Sequence, residues 1–125
     1  MGSRFVRPEL TTIPISQGDT LTVRARLTAG ERRAMYSRMY YPDTVKVDPM
    51  RVHLATLTAY LVDWSLVDDA GRRVPIEGLP VAELETILNA LDPESFTEIA
   101  EAIDRHADAH IAPRDTEKNA SSAAA

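Results

Sequence analysis

The chain has 125 residues, 44% of them hydrophobic and 26% charged, and its formal net charge is −5. That is one domain's worth of chain with apolar material for one modest core, and its acidic balance argues against sequence-independent binding of nucleic acid, which relies on Lys and Arg to neutralise phosphates. Cysteine is absent, which excludes disulfides, Cys-ligated zinc, iron–sulfur clusters and thiol catalysis.

Residues 1–10 read as a flexible arm. Thr11-Thr-Ile-Pro-Ile15 is a short candidate strand, and Pro14, which lacks a backbone donor, puts it at a sheet edge. Ser16-Gln-Gly-Asp19 supplies turn residues. In residues 20–27, Leu21, Val23, Ala25 and Leu27 alternate with Thr20, Thr22, Arg24 and Arg26. This period of two predicts a half-buried antiparallel strand, hence an N-terminal hairpin.

Thr28-Ala-Gly-Glu31 matches a capping box, so a helix starts there. It is expected to run to Tyr40 or Tyr41, with Pro42 ending it. Residues 42–49 form a connector in which Val45 and Val47 have the pattern of a brief strand. Asp48 as N-cap and Pro49 at the first position then open the longest predicted helix, 49–66. Met50, Leu54, Leu57, Leu61 and Trp64 recur at steps of four, three, four and three. Such a stripe marks an amphipathic helix, and this one is expected to be central.

Asp68-Asp-Ala-Gly-Arg72 signals a turn, and Val74-Pro-Ile76 is either one arm of a small hairpin with Leu66 and Val67 or a loop. A third helix follows Pro80, with Leu84, Ile87, Leu88 and Leu91 on one face. A fourth is opened by Asp92 and Pro93 and carries Phe96, Ile99, Ala100, Ile103, Ala107 and Ile111. Residues 112–125 are polar or small and are expected to form a disordered tail. The expected fold is mainly α (α+β): about four helices with a small N-terminal β-hairpin, in one mostly helical domain over residues 11–111. A core of about 100 ordered residues is marginal by itself, which hints at dependence on partners.

Chemistry-bearing motifs are sparse. His106 and His110 lie four apart on a predicted helix, a spacing that can grip a metal, but Ala107 stands where a zinc protease needs a Glu. Surface histidines near a helix C-terminus are the better reading. His53 borders the apolar stripe and reads as structural. Asp63 sits on an outer helix face or pairs with an Arg. Asp68 and Asp69, beside Gly71, read as turn formers rather than paired acids. There is no nucleophile elbow or phosphate-binding loop, so no catalytic, cofactor-binding or metal-binding residue is assigned.

Two clusters remain. Arg24, Arg26, Arg32, Arg33 and Arg38 form either a solvated face or a local positive patch suited to a protein partner. Met35, Tyr36, Met39, Tyr40 and Tyr41 combine two residue types enriched at protein interfaces. They serve either core packing or partner binding, and they are the candidate partner-binding residues. No apolar run reaches the length of a membrane span or a signal peptide, which leaves an intracellular protein as the expectation.

Over residues 52–111 the chain resembles the tail assembly chaperones of long-tailed bacteriophages and prophages. The resemblance rests on a long amphipathic helix closing on Tyr60-Leu-Val-Asp-Trp-Ser-Leu66, the Asp-Asp-Ala-Gly-Arg turn, two short amphipathic helices and a polar tail. It implies a non-enzymatic protein without cofactors that binds the tape-measure protein, helps recruit tail tube subunits, self-associates, and stays in the host cytoplasm rather than the finished virion. It also implies a longer frameshifted product, with Glu117-Lys118-Asn119 near the place of slippage. The alternative is a virion component such as a head–tail connector or minor tail protein.

Overall fold

The computed structural model describes residues 4–41 and 43–124, with side chains through Ala109. Among the described residues, three strands and four α-helices build the fold: β1 (Leu10–Pro14), β2 (Thr20–Arg24), α1 (Ala29–Ser37), α2 (Pro49–Tyr60), β3 (Leu61–Trp64), α3 (Val81–Asn89) and α4 (Pro93–Ala124). The strands form one antiparallel sheet in the order β1-β2-β3. The expected disordered tail, 112–125, and the Ile111 and His110 side chains lie outside the described side chains. Pro42, expected to end the first helix, lies outside the described residues.

The hairpin follows from its alternation. Ile13 pairs with Leu21 and Thr11 with Val23, so Leu21 and Val23 turn to one face, where both are fully buried. The turn is a 3₁₀ piece, Ser16–Gly18, closed by Ile15 N donating to Asp19 O at 2.9 Å. Ala25 N also donates to Glu9 O at 2.9 Å. The ladder therefore reaches into the stretch expected to be a free arm. Pro14 lies on the outer strand, as its missing donor requires.

Two helices end earlier than their sequences suggest. The first stops at Ser37, because Met39 and Tyr40 are drawn into pairing with the connector. Asp48 N donates to Met39 O at 2.6 Å, and Tyr40 bridges Val47. The second stops at Tyr60 rather than Leu66, and residues 61–64 become the third strand. The step of three from Leu61 to Trp64 looked helical, but a bulge explains it. Leu21 pairs with Trp64 and Val23 with Leu61, with a register shift between Thr22 and Val23. The extra residue on β3 puts two side chains three apart onto the same buried face. Pairing with the otherwise open side of β2 thus overrides helix propensity.

α2 packs against α1, α3 and α4, as expected of a central helix. Its last six residues, 55–60, are all buried, whereas its first turn projects. Met50, expected in the apolar stripe, is therefore 86% exposed. Leu84 and Leu88 of α3 meet Ile99, Ala100, Ile103 and Ala107 of α4 in the same core. The tight corner between these helices is held by Asp92, whose carboxylate accepts from Ser95 N at 2.8 Å. No described helix is long and apolar enough to cross a membrane.

Candidate interaction surface

The capping box fixes where α1 begins. Thr28 Oγ1 accepts from Glu31 N at 3.1 Å, and Glu31 Oε1 accepts from Thr28 N at 2.8 Å. Its far end is held by Arg38. One guanidinium nitrogen donates to Thr58 Oγ1 at 3.3 Å, while Nε is buried without a hydrogen-bond partner. Burial lowers the Arg38 pKa, and the nearby Glu85 carboxylate partly offsets that effect. This clamps the end of α1 onto α2 and sets the direction in which the following connector leaves.

Residues 39–41 and 43–48 close into a small ladder. Besides the Asp48–Met39 bond, Tyr41 N donates to Lys46 O at 2.9 Å, and Thr44 Oγ1 donates to Tyr41 O at 3.0 Å. Asp43 takes a left-handed conformation at φ 58°, which Asp tolerates better than most residues. Asp48 then caps α2 by accepting from Met50 N at 3.0 Å.

This ladder displays apolar side chains. Ten large hydrophobic residues are exposed among those described, and six lie in residues 36–50: Tyr36, Tyr40, Tyr41, Val45, Val47 and Met50. Tyr40 and Val47 are directly opposed, so their side chains share a face. Val45 is 92% exposed and Tyr41 44%. Concentration in one hydrogen-bonded segment, rather than scatter over the surface, sets this region apart.

The candidate cluster from the sequence divides accordingly. Met35 is buried in the core, Met39 is partly buried against it, and Tyr36, Tyr40 and Tyr41 are exposed. Sequence reasoning missed Val45, Val47 and Met50 as members. The alternation of Val45 and Val47 directly before the Asp48-Pro49 helix start was the available signal. Of the arginines, Arg24 donates to Ala59 O at 2.7 Å and pairs with Glu31 at 3.1 Å. Arg26, Arg32 and Arg33 are exposed.

His106 and His53 each tie α4 to another element, although the His53 side chain is 60% exposed. His106 Nε2 lies 2.9 Å from Arg24 O, and its ring meets Tyr60 edge-on at 5.5 Å between centroids. Desolvation raises the Tyr60 pKa. His53 Nδ1 lies 3.1 Å from Asp104 Oδ2, tying α2 to α4. Among the described residues no group of three or more His, Asp or Glu is placed to hold a metal ion. Asp68 is a turn former, accepting from Ala70 N and Arg72 N at 2.9 Å each around Gly71 at φ 78°. Asp63 pairs with Arg73 at 2.6 Å.

The residues behind the family resemblance hold the fold together. Trp64 is buried and its Nε1 donates to Val74 O at 2.8 Å. Ser65 Oγ accepts from Thr20 N and donates to Asp19 Oδ1, both at 2.9 Å. No protein-family model, curated protein or solved structure matches the chain.

Proposed function

We propose that this chain is a non-enzymatic tail assembly chaperone of a long-tailed phage or prophage. In this reading it binds the tape-measure protein, keeps it soluble in the host cytoplasm and helps recruit tail tube subunits. The observation that carries it is the apolar surface at 36–50. A chaperone for a long helical protein needs a firm exposed surface that accepts apolar helix faces. Tyr36, Tyr40 and Tyr41 supply large contact area at low entropy cost, and the ladder beneath holds Val45 and Val47 in place. The sequence likeness at Tyr60-Leu-Val-Asp-Trp-Ser-Leu66 and the Asp68 turn supports the same family.

Co-expression with the tape-measure protein of the same genome tests this. The expected outcome is a soluble complex, and a purified virion that lacks the chain. A tape-measure protein that stays insoluble regardless, together with many copies of this chain in the virion by mass spectrometry, overturns the chaperone reading in favour of a structural component.

A further inference from the structure

Charge is spread unevenly over the molecule. Residues 32–51 hold five basic side chains, Arg32, Arg33, Arg38, Lys46 and Arg51, against Asp43 and Asp48. Residues 77–108 hold nine acidic side chains against Arg105. The exposed apolar surface therefore lies in the positive part of a chain whose net charge is −5.

Two of those five cations are already engaged. Arg38 is turned onto α2, and Arg51 lies 3.7 Å from Asp48. Arg33 and Lys46 are exposed, and neither side chain makes an ion pair or hydrogen bond among the described residues. Each lies beside an exposed aromatic side chain: Arg33 precedes Tyr36 by one helical turn, and Lys46 stands opposite Tyr41 in the ladder, where Tyr41 N donates to Lys46 O.

An amphipathic helix lying on this surface places its polar flanks at the rim, over Arg33 and Lys46. Rim charges of opposite sign speed and favour docking, and like charges oppose it. We infer that the surface selects an amphipathic helix whose apolar face is bordered by Asp or Glu. The inference rests on the reading of 36–50 as a helix-binding surface. An anionic bilayer or RNA offers negative charge too, but the acidic α3–α4 region opposes a broad polyanion, whereas a single helix meets only the rim.

The test uses the full chain and two synthetic helices with one apolar face, flanked by Glu in one and by Lys in the other. Calorimetric titration is expected to show the Glu-flanked helix binding about tenfold more tightly at low salt, with the advantage shrinking at high salt. The Arg33→Glu/Lys46→Glu double variant is expected to reverse the preference while keeping the parent melting temperature. Equal affinities for the two helices, or a preference the double variant leaves unmoved, overturns the inference but not the binding surface. If neither helix binds, or if the same side chains mediate self-association or binding to phosphatidylserine vesicles instead, the surface reading falls and the inference with it.

Discussion

Trp64 shows how one side chain can serve two layers of the fold. Its ring fills the core under β2, and its indole N–H satisfies Val74 O in the loop that follows. Trp64→Phe keeps most of the apolar volume but strands that carbonyl, so a loss of about 1–2 kcal/mol is expected in urea unfolding. Trp64→Ala also opens a cavity and should cost about 3–5 kcal/mol. An undiminished stability in Trp64→Phe would show that the hydrogen bond contributes nothing. Asp92 acts differently, through charge. Its carboxyl pKa is lowered, first by the backbone N–H of Ser95 and then by the Ser95 hydroxyl. A group with a depressed folded-state pKa contributes stability above its unfolded value, and loses it as pH falls through the folded value. The melting temperature of the parent should therefore fall below about pH 4 more steeply than that of Asp92→Asn, which keeps the cap without the charge. Parallel pH profiles would contradict this.

At the scale of elements, the legible parts of the sequence were those where one period holds throughout. The alternation at Leu21 and Val23 marks β2 without ambiguity, and the Asp92-Pro93 cap places the start of α4. The passage from α2 to β3 was not legible. Leu57, Leu61 and Trp64 sit at helical steps, and only the bulge, which depends on pairing with β2, turns Leu61 and Trp64 to one sheet face. Spacing also cannot say at which turn a helix enters the core, so Met50 looked like Leu54 although it projects into solvent. For the candidate surface, residue type pointed to Tyr36, Tyr40 and Tyr41; Met35 and Tyr36 differ because they lie on different faces of α1, and Tyr40 and Tyr41 are exposed in the ladder beyond its early end. The outer strand carries its own prediction. Because Glu9 O and Ile15 N bond toward β2, the alternation of an antiparallel ladder turns the backbone of Leu10, Thr12 and Pro14 outward. Pro14 thus removes a donor from the open edge, a guard against strand-to-strand association. Pro14→Val should increase concentration-dependent self-association in sedimentation velocity, and an unchanged profile would show that the edge is guarded otherwise.

The whole molecule joins a buried α2–α4 packing to one projecting end. Cross-links from three elements hold α4 in place: Ser16 N and Oγ each donate to the Glu98 carboxylate at 2.8 Å, His53 meets Asp104, and His106 meets Arg24 O. With that frame fixed, Tyr36, Tyr40, Tyr41, Val45, Val47 and Met50 stand out as exposed apolar side chains that contribute little to the core. Removing them should separate binding from stability. Tyr41→Asp/Val45→Asp alters two exposed side chains, so folding stability should change by no more than about 0.5 kcal/mol per site. Interface energy concentrates in a few aromatic and apolar anchors. The proposed function places the grip on the tape-measure protein at this end. The most direct measurement is the affinity of the full chain for that protein's helical segments, parent against Tyr41→Asp/Val45→Asp. Binding by the parent is expected, with at least about tenfold weaker binding by a variant that melts like the parent. Equal affinity in the two proteins, or no binding by the parent, would contradict it.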